Sequence, residues 1–440
     1  MKKTLLTTAL FVTLSQFGWA QTSFDKAKLD NYFQNLETNN KFMGSIAVSQ
    51  DGKVIYTKSI GFADVENNQK ANENTKYRIG SISKTFTTVM VMKAVEDKKL
   101  DLNQTIEKFF PTVPNANKIT IKQLLGHRSG IHNFTNDDEY MTWYTQPKTE
   151  KEMVEIITKI GSDFEPDSKA DYSNSNFVLL TYILEKTYKQ SFADLLDKQI
   201  IKPLELKNTT FGGKINTTNN ESKSYSYKGS WKEEPETDMS IPLGAGGIIS
   251  SPSDLTKFSD ALFGGKLLST ESLELMKTVV DGYGLGLFKI PFYDKTGFGH
   301  TGGIDNFTSM FSYFPDGNVS YAMTSNGTNY SNNNISIAVL SAVYGKDYEI
   351  PEFSNYEVTA EELEQYLGVY SSVTIPIKIT ITQDGNTLLA QATGQSAFPL
   401  EASAKDEFKF DLANIVIEFI PTEKKLILKQ SGMELTFLKP

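Results

Sequence analysis

Ser81 and Lys84 are the residues whose types and spacing most directly suggest chemistry. They are the first and last residues of Ser81-Ile82-Ser83-Lys84, and apolar residues with the spacing of a helix follow from Phe86 to Val95. Residues three apart share one face of a helix. A serine hydroxyl becomes a nucleophile when a base takes its proton, and a lysine serves as that base when burial near a helix N-terminus depresses its pKa. The pattern therefore predicts an activated serine, and the Ser81 amide in the first turn forms half of an oxyanion hole.

The same spacing recurs elsewhere, so Ser81–Lys84 needs further support. Ser23 and Lys26 match it as well, but Ser23 is better interpreted as the N-cap of a surface helix. The support comes from Tyr172-Ser173-Asn174, a polar segment that leads into a predicted helix. A second Tyr-Ser-Asn triplet, at 330–332, lies in an Asn-rich tract that predicts a solvated loop.

A third motif, Gly299-His300-Thr301-Gly302-Gly303, lies on a predicted strand. Lys295-Thr296-Gly297 stands just before it and is an alternative form of the same motif. We favour His300-Thr301-Gly302 because the following residues continue as an alternating strand, while Lys295 stays a candidate neighbour of the cleft. The glycines would let a substrate backbone approach the strand closely.

Taken in this order, the three motifs resemble those of the penicillin-recognising serine hydrolases. The Tyr-x-Asn form is similar to the branch that contains class C β-lactamases and serine DD-carboxypeptidases. The resemblance covers roughly residues 45–340 and includes the segments 125–130, 202–206 and 244–247.

The resemblance and the chemistry together imply a role for each residue. Ser81 would form an acyl-enzyme, Lys84 and Tyr172 would share the proton transfers, and Asn174 would hold the substrate amide or Lys84. The amides of Ser81 and Gly303 would bind the oxyanion. His300, Thr301 and Gly302 would form the substrate-binding strand, with His300 and Thr301 facing a substrate carboxylate. We also expect a nearby ammonium to lower the pKa of the Tyr172 phenol.

His300 stands where most efficient β-lactamases of this branch have a lysine. A neutral imidazole attracts a carboxylate less than a fixed ammonium does, and its ordinary pKa is about 6.5. The substitution favours peptidase or esterase chemistry over strong β-lactam hydrolysis. It also predicts that affinity for carboxylate-bearing substrates falls as pH rises through the histidine pKa.

A catalytic triad or a metal site that uses the other histidines agrees less well with the sequence. His127 and His132 would allow a Ser-His-Asp triad or a metal site, but the chain has three histidines and no cysteine. We expect no metal and no cofactor, and we interpret His127 as a partner of backbone groups at a helix end. Glu165 is interpreted as loop surface.

The predicted elements give an α+β fold. An Asp-Gly turn at 51–52 joins two strand-like runs into a hairpin. The middle of the chain is mainly helical, with helices predicted at 151–160 and 177–196. Strands predicted at 282–288 and 299–314 resume the sheet that the hairpin begins. The result is an antiparallel sheet flanked by helices, with a helical subdomain.

The two ends of the chain differ in composition from the hydrolase domain between them. Residues 1–20 carry two lysines, a short apolar stretch and small residues before Gln21, which is typical of a secretory signal peptide. The hydrolase domain is predicted at 21–345, a linker at 346–358, and a small all-β barrel-like domain at 359–440. This last domain resembles the lipocalin-like β-domain that is often appended to such hydrolases.

Composition and net charge exclude some classes of binding partner. The formal net charge of −9 includes Lys2 and Lys3, so it becomes −11 once the first twenty residues are removed. Without a basic cluster, nucleic acid is not an expected partner. No segment is long enough for a membrane span. We expect a periplasmic or secreted enzyme.

The predicted function is hydrolysis of an amide or ester in a small molecule or peptide. A D-amino-acid peptidase of the DD-carboxypeptidase type or an esterase is favoured. A β-lactamase is the first alternative, and a non-catalytic penicillin-binding or ligand-sensing protein is the second.

Overall fold

A computed structural model describes residues 24–353, 356–372, 374–430 and 432–440. The predicted signal peptide and Ser23 lie outside the described residues. The first described helix is capped by Asp25, whose side chain accepts a hydrogen bond from the Lys28 amide. Within the described ranges, no helix combines the length and the apolar character needed to cross a bilayer.

Helices and short strands alternate through the first 350 residues. The helices are α1 (Lys26–Thr38), α2 (Ser83–Glu96), α3 (Ile121–Leu125), α4 (Tyr140–Trp143), α5 (Glu150–Ile160), α6 (Asn174–Tyr188), α7 (Phe192–Leu196), α8 (Lys202–Leu204), α9 (Pro252–Phe263), α10 (Thr270–Lys277) and α11 (Asn332–Tyr344). The strands are β1 (Phe42–Gln50), β2 (Lys53–Ile60), β3 (Phe62–Asp64), β4 (Gln69–Lys70), β5 (Tyr77–Arg78), β6 (Thr210–Phe211), β7 (Tyr225–Tyr227), β8 (Trp231–Glu233), β9 (Ile248–Ser250), β10 (Phe288–Phe292), β11 (Lys295–Ile304), β12 (Phe307–Phe314) and β13 (Val319–Thr328).

The central sheet has six antiparallel strands in the order β10-β11-β12-β13-β1-β2. The predicted Asp-Gly hairpin is confirmed as β1–β2, and the late strands join it through the β1–β13 pair. Because side chains alternate along a strand, the two faces serve different cores. Tyr321 and Met323 face a core with α1 and α11, whereas Ala322 and Phe311 face the core that contains α2, α6 and α9.

Three expected elements differ in the structure. The expected strand at 282–288 begins only at Phe288, because Gly282 and Gly286 have positive φ angles (89° and 63°) that a strand does not accommodate. The helix expected at 177–196 is divided where Lys189 adopts a left-handed conformation at the end of α6. The tract around 330–332 is not a solvated loop: Ser331 is buried and caps α11.

The C-terminal segment forms a closed eight-stranded barrel, as the sequence predicted. A short helix precedes it, α12 (Ala360–Leu363). The strands are β14 (Gly368–Ser372), β15 (Lys378–Asp384), β16 (Thr387–Ala392), β17 (Phe398–Ala404), β18 (Glu407–Phe410), β19 (Ile415–Ile420), β20 (Lys425–Gln430) and β21 (Met433–Leu438). Tyr366, Phe408 and Phe419 pack against one another in the barrel core, so side chains fill the barrel.

Candidate active site

A tight turn places Ser81 at the start of the buried helix. Strand β5 leads through Gly80 (φ 48°) into a 3₁₀ turn over Gly80–Ile82, and α2 begins at Ser83. A Cβ atom on Gly80 would lie 2.7 Å from the Gly303 nitrogen, so only glycine fits here. The turn therefore brings Ser81 and the end of β11 into close contact.

Lys84 is completely buried and has three oxygen neighbours. Its Nζ lies 3.0 Å from Ser81 Oγ, 2.7 Å from Asn174 Oδ1 and 2.7 Å from the Ala245 carbonyl oxygen. Burial lowers the pKa of Lys84 well below its ordinary value. A neutral amine has two N–H groups and one lone pair. Since the Asn174 and Ala245 oxygens only accept hydrogen bonds, they take both N–H groups, and the lone pair is left for the Ser81 hydroxyl.

Tyr172 lies on the other side of the serine. Its hydroxyl is 2.7 Å from Ser81 Oγ, and its ring stacks on the buried His127 ring at 4.4 Å. The expectation of a depressed phenol pKa is wrong: burial raises the pKa of Tyr172, which more than offsets the hydrogen bond to Ser81. Tyr172 therefore stays protonated and can donate a hydrogen bond.

His127 holds this arrangement from behind. Its Nδ1 accepts the Ser173 backbone N–H at 3.1 Å, so its predicted role as a partner of backbone groups is confirmed. The ring that stacks on Tyr172 makes no hydrogen bond to Ser81 among those found in the described structure. Glu165 is exposed and pairs with Lys118, as expected of loop surface.

Asn174 is the first residue of α6 and connects three segments. Its Oδ1 accepts from Lys84, its Nδ2 donates to Thr135 Oγ1 at 3.1 Å, and its backbone N–H donates to Asn133 Oδ1 at 3.0 Å. Of the two roles expected for Asn174, the structure contains the contact with Lys84. Asn174 thus fixes Lys84 relative to the Tyr172 segment.

Strand β11 packs tightly on the Ser81 turn. A Cβ atom on Gly302 would lie 2.0 Å from the Ile79 carbonyl oxygen, and Ser309 Oγ donates to that same oxygen at 2.8 Å. Gly303 follows and lines the same cleft as Ser81. The two residues whose amides were predicted to bind an oxyanion are therefore neighbours.

His300 has a different environment from the expected one. It is buried, its Nδ1–H donates to the Thr301 carbonyl oxygen, and its ring contacts Phe288. Burial is the main cause that lowers the pKa of His300, to about 3. The predicted titration near neutral pH is wrong, because the imidazole is already neutral there. The described residues that line the cleft include Gly303, but not His300, Thr301 or Gly302.

Lys295 also lies far from the cleft. It forms an ion pair with Asp316 at the start of β11, eight residues before Gly303. At about 3.3 Å per residue, the strand separates it from the cleft by more than 20 Å.

The cleft in front of Ser81 has a volume of about 480 Å³. Its wall includes Phe134, Tyr140 and Tyr144 on one side and the turn between β11 and β12 on another. Among the described residues that line it, the charged ones are two carboxylates, Glu234 and Asp305. Trp143 and Trp231 are not among the described residues that line it.

Sequence reasoning missed a buried ion pair beneath the cleft. Arg78 donates to Asp305 at 2.8 Å and to Glu236 at 2.6 Å, and Asp305 also accepts from the Thr237 backbone and hydroxyl. Arg78 is close to the Ser81 motif in sequence, but nothing in the sequence connects it with Asp305, 227 residues later. The pair fixes the end of β11 relative to the Ser81 turn.

The fold and the Ser81–Lys84 contact are compatible with a serine hydrolase. A family model described as Beta-lactamase matches residues 29–343. The chain belongs to the β-lactamase family, and it is an enzyme of the serine hydrolase class, as its sequence predicted.

Relatives of known structure or description cover much of the chain. Penicillin-binding protein 4* of Bacillus subtilis (strain 168) is 24% identical over 450 residues, which is 92% of this chain and 97% of that protein. Teichoic acid D-alanine hydrolase of Staphylococcus aureus (strain MRSA252) is 28% identical over 244 residues, covering 55% of this chain and 58% of that protein.

Two solved structures show the same fold. D-amino acid amidase from Ochrobactrum anthropi SV3, complexed with L-phenylalanine amide, has a TM-score of 0.64 and 25% identity, and covers 72% of this chain and 99% of its own. The octameric penicillin-binding protein homologue from Pyrococcus abyssi has a TM-score of 0.67 and 25% identity, and covers 94% of this chain and 100% of its own.

Proposed function

We propose that this enzyme hydrolyses an amide or ester bond of a D-amino-acid compound through an acyl-enzyme on Ser81. The observation that carries the proposal is the buried Lys84 amine, whose Nζ lies 3.0 Å from Ser81 Oγ. A base placed in this way can take the serine proton as the hydroxyl attacks a carbonyl. The D-amino-acid preference comes from the relatives, which include an amidase for D-amino acids and a D-alanine hydrolase.

The other residues have distinct roles in this mechanism. The amides of Ser81 and Gly303 stabilise the tetrahedral oxyanion. Tyr172 donates a hydrogen bond at the serine oxygen and relays the proton to the leaving amine or alcohol, because its phenol stays protonated. Asn174 and the Ala245 carbonyl hold the Lys84 amine in place. Water then hydrolyses the ester on Ser81 and regenerates the hydroxyl.

We further propose that the enzyme acts outside the cytoplasm, after removal of residues 1–20. The sequence of that segment supports this proposal. We likewise propose that the hydrolase domain ends at residue 345 and that the C-terminal barrel domain begins at residue 359.

The direct test is acylation of Ser81. A fluorophosphonate should label wild-type protein on Ser81, and Ser81→Ala should abolish both the labelling and the hydrolysis of D-alanine p-nitroanilide. Ser23→Ala is the matched control, since Ser23 has the same spacing to a lysine, and it should keep full activity. An adduct that mass spectrometry locates on another serine would refute the assignment.

A further inference from the structure

The charges around the cleft indicate which amino-acid derivatives it accepts. Both charged lining residues are carboxylates, and no lysine or arginine side chain is among the described lining residues. Two groups that would otherwise attract a substrate carboxylate are neutral, because burial lowers the pKa values of Lys84 and His300. The described lining of the cleft therefore offers no positive charge to an anionic substrate, which disfavours its binding.

The two carboxylates are in different situations. Asp305 has a completely buried side chain, paired with Arg78 and hydrogen-bonded to Thr237. Its charge is thus already compensated by the protein. Glu234 is partly exposed and lines the cleft, and within the described parts of the chain its carboxylate has neither an ion pair nor a hydrogen bond.

Among the described residues, no lysine or arginine forms an ion pair with Glu234. Lys223 pairs instead with Asp64, Glu66 and Glu233. Glu234 lines the same cleft as Tyr144. Burial first, and then the charges of Asp305 and Glu234, raise the pKa of the Tyr144 phenol. A carboxylate beside an aromatic ring in a cleft is a suitable acceptor for an ammonium group.

We propose that Glu234 binds the α-ammonium group of the substrate's acyl residue. The enzyme would then act on unblocked D-aminoacyl amides and esters and discriminate against N-acylated and carboxylate-bearing compounds. This inference rests on the proposed function of Ser81. It separates an aminoacyl hydrolase from a carboxypeptidase, which must accept a C-terminal carboxylate.

The test compares two substrates that differ only at the amine, D-alanine p-nitroanilide and N-acetyl-D-alanine p-nitroanilide. The readout is the ratio of their kcat/KM values, which cancels any loss of folded protein. Wild type should prefer the free amine, and Glu234→Gln should lower the ratio at least tenfold. Glu233→Gln is the matched control, since it removes the adjacent carboxylate outside the cleft, and its ratio should equal that of wild type.

Two further measurements make the result decisive. Glu234→Lys should reverse the preference and favour N-succinyl-D-alanine p-nitroanilide. D-alaninamide should protect wild-type Ser81 from fluorophosphonate better than N-acetyl-D-alaninamide, and Glu234→Gln should lose that difference. Equal ratios and equal protection in wild type and Glu234→Gln would overturn the inference while leaving Ser81 acylation intact. Absence of any Ser81 acylation would instead overturn the proposed function and the inference with it.

Discussion

Lys84 depends on its surroundings for the lone pair that it offers to Ser81. Its Nζ is desolvated and its oxygen neighbours carry only partial charge, so burial outweighs these contacts and lowers the pKa of Lys84. Asn174 is the side chain best placed to change this balance. Its amide oxygen accepts a hydrogen bond from Lys84 without adding a negative charge.

We expect Asn174→Asp to move the acidic limb of the kcat/KM profile to higher pH. A carboxylate 2.7 Å from Nζ favours the ammonium and raises the pKa of Lys84. An opposite charge at this distance typically shifts a pKa by about 1–3 units. Because only the neutral amine accepts the serine proton, activity at a given acidic pH falls. The measurement is kcat/KM against pH for a D-amino ester whose amine remains protonated over the whole pH range and which has no other titratable group.

Asn136→Asp provides the control for Asn174→Asp. Asn136 is exposed and lies on the loop that follows Asn133, so the same charge is added in solvent. Its profile should match that of wild type. An unchanged acidic limb in Asn174→Asp would show that Lys84 is not the group whose protonation limits the reaction. His300 should contribute no limb near neutrality, since its pKa is about 3.

At the scale of elements, the site depends on two segments that meet only through the fold. The turn after β5 supplies Ser81, and the end of β11 supplies Gly303. Arg78 joins these segments through the completely buried Asp305 side chain. The attraction between the two charges adds little to the free energy of unfolding. Removing one partner is costly because it leaves the other charge buried and unpaired.

Arg78→Met should therefore destabilise the protein by about 3–5 kcal/mol. Urea unfolding followed by circular dichroism measures the loss. Arg78→Met combined with Asp305→Asn should recover part of it, because no buried charge is then left unpaired. Glu236→Gln is the control: Glu236 pairs with the same guanidinium but is 30% exposed, and its loss should cost about 1 kcal/mol or less. Equal losses in Arg78→Met and Glu236→Gln would contradict this account.

Local patterns were sufficient for much of this architecture. The Ser-x-x-Lys spacing, the Asp-Gly hairpin and the barrel strands are signals carried by neighbouring residues. They predicted the helix that begins after Ser81, the sheet and the barrel. The protonation states of Tyr172 and His300 were not predictable in that way. They depend on burial by segments distant in sequence, such as the strand that begins at Phe288. The Arg78–Asp305 pair and the unpaired Glu234 also exist only after the chain has folded.

At the scale of the whole molecule, the barrel is attached to the hydrolase region by polar contacts. Lys41, which is 4% exposed, pairs with Glu401 and Asp411 of the barrel, and Asn334 bonds Asn414. Burial opposes the charge of Lys41, but the hydrogen bonds of these two carboxylates prevail and raise the pKa of Lys41. Among the described residues, each side of this interface has its own apolar core.

The segment that was predicted to be a linker is more closely associated with the hydrolase region than its composition suggests. Tyr348, Ile350 and Phe353 pack against the core of α1 and α11, and Asn35 donates to the Pro351 carbonyl oxygen.

A truncation that ends at Phe353 should therefore remain folded and keep its reactivity with fluorophosphonate. A truncation that ends at Gly345 loses these apolar contacts and should be less stable by about 2–5 kcal/mol, given the usual contribution of partly buried side chains. Unfolding midpoints of both truncated proteins, compared with the full chain, measure this difference. Equal stability of the two would show that residues 346–353 do not belong to the hydrolase core, and insolubility of both would show that the barrel and the hydrolase region fold as one unit.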